Sequence, residues 1–148
     1  MEVRFTVPGV PVGKGRPRFM RNGHTYTPEK TRAYEQSVKD CWRQQSGKGF
    51  AGGIPLKAYI VAYFPIPKSV SMKKAEAMAG TFHINRPDTD NITKAILDSL
   101  NGLAYPDDSA VQIARSFKIY TNAEPRVEVL IEAAIDVGEG VILGETFG

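Results

Sequence analysis

The sequence predicts an α/β fold: one mixed β-sheet of about four strands with helices packed on it. Period-two alternation of apolar residues recurs in four segments, 2–7, 55–66, 111–120 and 126–135. Helical spacing fills stretches between the first three, so the order reads strand, helix, strand, short helix, helix, strand, strand. A length of 148 residues, 42% hydrophobic and 24% charged, suits a single soluble domain with its own core.

Val3, Phe5 and Val7 alternate with polar neighbours and make residues 2–7 the first strand. Residues 8–26 form a loop rich in Gly, Pro and basic side chains. Thr27 has the chemistry of a helix N-cap, with Pro28 at the first helical position and Glu29 in the first turn. Tyr34, Val38, Cys41, Trp42 and Gln45 then share one helix face, which ends near Gly47 and puts Cys41 and Trp42 in the core. In residues 55–66 both alternating sets are partly apolar, which marks a central strand. Ser69 or Ser71 caps a short helix over 69–79. Asp90 or Asn91 caps a helix to about Asn101, which buries Ile92, Ile96 and Leu100 and stops at Gly102. Thr121–Pro125 joins the last two strands as a loose hairpin. The domain is expected to span residues 1–136, with a mobile Gly-rich tail over 137–148.

The net charge of +3 is unevenly spread. Residues 1–50 carry ten Lys and Arg against four acids, residues 51–121 eight against six, and residues 122–148 one against six. The basic excess lies at the N-terminal end, where it suits a polyanion. Glu128 and Glu132 alternate with apolar residues, as on a solvated strand face. Cys41 is the single cysteine, which excludes an intrachain disulfide and points to a reducing, cytoplasmic setting. No apolar run is long enough to span a membrane, and the opening residues read as strand, not signal peptide.

Five aspartates crowd into residues 88–108, while the rest of residues 51–121 holds one acid, Glu76. Packed like charges raise each other's pKa values, so such a cluster calls for a cation. Mg²⁺ takes one or two carboxylates together with waters and substrate phosphate oxygens. Asp88 and Asp90 flank Thr89 in what Pro87 favours as an extended approach, with both carboxylates on one side. From Asp90 the spacing turns helical, and Asp90, Lys94 and Asp98 fall opposite Ile92, Ile96 and Leu100. Asp107 and Asp108 follow just before the strand at Val111. Together these acids suit one or two Mg²⁺ ions acting on a phosphodiester, with Lys94 adding positive charge at the transition state. Taken singly, Asp-x-Asp is more often a cap or turn, and Lys94 an ion-pair partner of Asp90 and Asp98. His83 reads as structural or phosphate-contacting, because a hard cation does not need imidazole. Tyr105-Pro-Asp-Asp108 echoes palm polymerases, but the chain is too short for their subdomains.

Lys14, Arg16, Arg18 and Arg21 lie in the first loop with Phe19, His24 and Tyr26. Alternating cations suit phosphates, and the aromatic rings suit exposed bases. Gly13 and Gly15 permit close backbone approach to phosphate. The alternative is a solvated surface loop.

The run Arg86-Pro-Asp88-x-Asp90-Asn91-x-x-Lys94-x-x-x-Asp98-x-Leu100, followed by Asn101-Gly102 and Asp107-Asp108, resembles the RusA-type Holliday junction resolvases. These crossover-junction endodeoxyribonucleases are frequent in phages and prophages. Gly13-Lys14-Gly15-Arg16-Pro17-Arg18 and Tyr26-Thr27-Pro28 are similar to the family's phage-type members. The resemblance implies a homodimer of small α/β subunits that sets two acidic sites on a four-way DNA junction and makes paired nicks. It implies Asp88, Asp90 and Asp108 as catalytic carboxylates and Lys94 as the catalytic lysine. Asp107 is a further metal candidate, Asp98, Asn91 and His83 form a second tier, and Arg86 joins the loop cations on DNA. Mg²⁺ is the expected cofactor, with Mn²⁺ expected to substitute; the expected partners are branched DNA and a second copy of the chain. The residues alone reach only a Mg²⁺-dependent phosphodiesterase acting on nucleic acid. A flap or general structure-selective nuclease, or a branched-DNA binding protein that does not cleave, are the alternatives.

Overall fold

A computed structural model describes residues 1–139, so residues 140–148 of the expected tail lie outside the described residues. The chain runs β1 (Glu2–Pro8), β2 (Arg18–Phe19), β3 (Thr25–Tyr26), α1 (Glu29–Gln45), β4 (Leu56–Pro65), α2 (Met72–Met78) and α3 (Thr89–Leu100). A 3₁₀ turn (Asp108–Ala110), β5 (Val111–Thr121) and β6 (Arg126–Ala133) complete it. This is a single α/β domain with the mixed four-stranded sheet that the alternation predicts, in the order β1-β6-β4-β5.

β6 runs antiparallel to both β1 and β4, while β4 and β5 are parallel. A parallel pair needs a crossover connection, and the segment carrying α2 and α3 supplies it. The last two strands do not form the expected hairpin, because β4 lies between them. Leu56, Ala58, Ile60, Ala62 and Phe64 of β4 are buried, and Lys57, Tyr59, Val61 and Tyr63 are half-buried. Such a strand gains most at the centre of a sheet. The turn residues Asn122–Pro125 reverse the chain without deciding which strand will be its neighbour.

Val38 and Trp42 of α1 and Ile92, Ile96 and Leu100 of α3 join Val3, Phe5, Leu56, Ile60, Val127 and Ile131 in one core. Each large aliphatic side chain buried there contributes about 1.5–3 kcal/mol. Both sheet edges are partly covered. Gln45 accepts from Thr6 N at 2.8 Å and donates to Thr6 O at 2.7 Å, replacing a strand neighbour for β1. Thr81 O accepts from Tyr120 N and His83 N donates to Lys118 O, each at 2.9 Å, along part of β5.

Local boundaries shift from the expectation. Pro28, not Thr27, occupies the cap position of α1, without a side-chain cap bond. Cys41 is only half-buried at the rim of the core, whereas Thr31, which carries no apolar signal, is buried. Ser71, not Ser69, caps α2 by accepting from Lys74 N at 3.2 Å. The basic loop contains a short antiparallel ribbon, β2–β3. α3 begins earlier than expected, with Asp88 in its cap position.

Candidate functional site

The start of α3 is held from two sides. From β5, Lys118 Nζ donates to the carbonyls of Asn85 at 2.6 Å and Pro87 at 2.9 Å. Ser116 Oγ shares a short hydrogen bond with Thr93 Oγ1. From the first loop, Lys14 N donates to Asn91 O at 2.9 Å and Gly15 N to Thr31 Oγ1 at 3.1 Å. A Cβ on Gly13 would lie 2.7 Å from Pro87 Cβ, and one on Gly15 would lie 2.7 Å from Thr31 Oγ1. These glycines are therefore explained by the approach of the loop to α1 and α3. The sequence had suggested room for a phosphate instead.

Asp88 has extended backbone angles (φ −72°, ψ 155°) but its side chain caps nothing, and Asp90 already lies in the first helical turn. The expected extended Asp88–Asp90 segment is thus a helix start, because Thr89 onward joins the hydrogen-bonded spiral. The two carboxylates open into different hollows.

Asp90, Thr93, Lys94, Asp98, Asp108 and Ser116 line an acidic cleft of about 580 Å³. Among the described residues, the Asp90 and Asp108 carboxylates and the Lys94 ammonium have no hydrogen bond or ion pair. Asp98 differs: its Oδ2 lies 3.2 Å from Lys14 Nζ, which also meets Glu35 Oε2 at 3.0 Å. Desolvation pulls the Lys14 pKa down, but hydrogen bonds and charge from Glu35 and Asp98 outweigh it and leave the pKa raised. Lys14 is therefore engaged by two carboxylates of the protein, while it also lines the basic groove beside Arg16 and Arg18.

Asp107 and Asp108 also part company. Asp107 accepts from Ser109 N at 3.0 Å and lines a separate hollow with Gly52, Gly53 and Pro106. Its bonds to Ser109 hold its carboxyl below the usual range. Asp108 faces the acidic cleft, with its backbone N–H on Asn101 Oδ1 at 3.0 Å. Tyr105 anchors the same loop, donating from its buried hydroxyl to Leu97 O at 2.6 Å.

Among the described residues, no three His, Cys, Asp or Glu side chains gather into a group that could hold a metal ion. Two uncommitted carboxylates on one cleft still suit Mg²⁺, which keeps waters and recruits phosphate oxygens to fill its octahedron.

On the other side of the α3 start lies a basic groove of about 880 Å³, lined by Arg16, Arg18, Lys30 and Arg86 with Asp88 and Asn91 at its wall. These four cations have no ion pair among the described residues. Lys30 escaped the sequence reading because a lysine in a first helical turn carries no signal apart from its neighbours. Arg21 is exposed in the ribbon turn, away from the groove lining. Register pairs Arg18 with Tyr26, and Phe19 is 80% exposed. His83 stacks on Phe64 with ring centroids 3.9 Å apart and meets Tyr120 edge-on. Desolvation and the Lys118 charge lower its pKa, so at neutral pH it is a neutral packing residue.

The family model described as Endodeoxyribonuclease RusA matches residues 8–132. The uncharacterized protein YqaN of Bacillus subtilis (strain 168) is 40% identical over 136 residues, covering 87% of this chain and 94% of the relative. The chain belongs to the RusA endodeoxyribonuclease family, in agreement with the resemblance carried by the run from Arg86 to Asp108. Among the described residues, no helix is long and apolar enough to cross a membrane.

Proposed function

We propose that this RusA-family chain is a Mg²⁺-dependent endonuclease that works as a homodimer and resolves four-way DNA junctions by paired, symmetric nicks. The observation that carries the reading is the shared helix start. One side of it presents free carboxylates and a free lysine, and the other opens onto a groove of unpaired cations. A polyanion guided along the groove reaches the acids without meeting net repulsion.

Asp90 and Asp108 would hold the metal, with Asp88 at the groove side as the third catalytic carboxylate. With Mg²⁺ held there, the chemistry supplied would be activation of a water as nucleophile and polarisation of the scissile phosphate. Arg16, Arg18, Lys30 and Arg86 bind the flanking phosphates and set the strand's path. Lys94, exposed and uncommitted, donates to a phosphate oxygen as negative charge grows on it. Asp98 and Asp107 have internal partners and stand outside this set. The described residues of one chain carry one such site, so paired nicks on a nearly twofold junction call for two chains.

The test is a nicking assay with Mg²⁺ on a labelled four-way junction, beside flap and duplex substrates, with sedimentation to read the oligomer. Preferential cleavage of the junction by a species of twice the 16.3 kDa chain mass supports the proposal. Equal cleavage of flaps would make it a general structure-selective nuclease, and binding without cleavage would remove the enzyme.

A further inference from the structure

Lys94 and Asp98 sit one helical turn apart on α3, a spacing at which oppositely charged side chains meet. They line the same cleft, yet no ion pair joins them among the described residues. Asp98 is instead held by Lys14, and the three members of the Lys14–Glu35–Asp98 group are sheltered, with side-chain exposures of 18%, 16% and 27%. The backbone bonds of Lys14 and Gly15 to Asn91 and Thr31 fix the loop so that this ammonium reaches between α1 and α3. Asp90, one turn before Lys94, is the carboxylate assigned above to the metal.

We infer that Lys14 is a positioning residue that, by holding Asp98, keeps that carboxylate from capturing Lys94 and leaves the Lys94 ammonium free for the scissile phosphate. The inference rests on the role given to Lys94 above. Removing the Lys14 charge would leave two carboxylates, Glu35 and Asp98, in a recess without a counter-ion, a costly state that draws in the nearest mobile cation. Lys94, one helical turn from Asp98 on the same cleft, is the cation placed to answer. Lys14 therefore acts through Asp98, although it lines the same groove as Arg16 and Arg18.

The full chain is tested with Lys14→Met, Lys14→Arg, Asp98→Asn and the double variant Lys14→Met/Asp98→Asn. Single-turnover cleavage of a four-way junction should fall roughly tenfold in Lys14→Met, less than the ~10²-fold expected for losing Lys94 itself. Junction affinity without metal and its salt dependence should not change. Lys14→Arg and the double variant should recover most of the rate, because one restores the partner and the other removes the captor. A second readout is independent of cleavage: acetylation of the Lys94 amine, followed by mass spectrometry, should slow several-fold in Lys14→Met and recover in the double variant. A double variant as slow as Lys14→Met in both readouts overturns the inference. So does a salt slope that falls by about 0.9 in Lys14→Met, which would make Lys14 a phosphate contact. If Lys14→Met does not fold, Asp98→Asn and the double variant decide: equal rates support the inference, and a further drop overturns it. A wild-type chain that does not cleave sinks the proposed function, while the acetylation series still decides the role of Lys14.

Discussion

The acidic cleft and the basic groove share the first turn of α3 but are built differently. The cleft lies between regular elements, with Asp90 and Lys94 on a helix packed through Ile92 and Ile96, and Asp108 at the entry to β5. Thr93 and Ser116 bond across it. The groove is lined by the first loop, the start of α1 and the segment leading into α3, and the arginines it carries, on irregular or two-residue-strand backbone, have no partner among the described residues. Metal chemistry needs ligands held to within about 0.5 Å, which packed elements provide. Phosphate binding needs charge within a Debye length of about 8–10 Å, which a less constrained arginine satisfies. The same contrast recurs inside each region. Lys14 is clamped and Arg16 is free; Asp98 is paired and Asp90 is not.

Charge removal in the cleft should have the largest effect. Asp90→Asn or Asp108→Asn should lower cleavage by more than ~10²-fold while junction binding stays the same or tightens. Asp107→Asn should cleave close to wild type; the reverse ranking of Asp107 and Asp108 in a nicking assay would undo the division between the two hollows. Next is the seam between the regions. Gly13→Ala drives a methyl into Pro87 and should destabilise the fold by about 1–3 kcal/mol in urea titration, with slower cleavage. A fully active, equally stable variant would mean that the loop yields freely.

In the groove, Arg16→Ala and Arg18→Ala should each lower the slope of log K against log salt by at most about 0.9. The cleavage rate at saturating protein should hold. An unchanged slope would assign these arginines to solvent. The smallest effect is a pH dependence at His83. Its folded pKa lies below the ordinary 6.5, so on acidification the unfolded chain binds a proton that the folded chain refuses. Stability should therefore decline as pH falls from 6.5 toward the folded pKa, and His83→Phe should flatten that slope in melting curves. A slope that persists would trace to other groups.

Most elements were legible because their signals are local. Alternation in residues 2–7 and 55–66, and the i, i+4, i+8 spacing of Ile92, Ile96 and Leu100, reach the observed strands and α3 to within a few residues. The acid run was legible as a candidate site for the same reason, since its spacing survives in the chain whatever surrounds it. The site's internal division was not. Nothing in Asp107-Asp108 tells which carboxylate will cap a turn, and nothing near Lys14 announces Glu35, 21 residues on.

The sequence by itself determined the α/β class, the order of the main strands and helices, the crowding of carboxylates into residues 88–108 and the family. Each depends on residues that are neighbours along the chain, where spacing translates directly into geometry. Only the tertiary structure decided that β4 separates β5 from β6 and that Gly13 and Gly15 serve packing. It also decided that Lys14 and Asp98 neutralise each other while Lys94, Asp90 and Asp108 stay uncommitted. Those outcomes depend on which distant segments meet, because partners brought together by the shared core determine which charges remain available to a substrate.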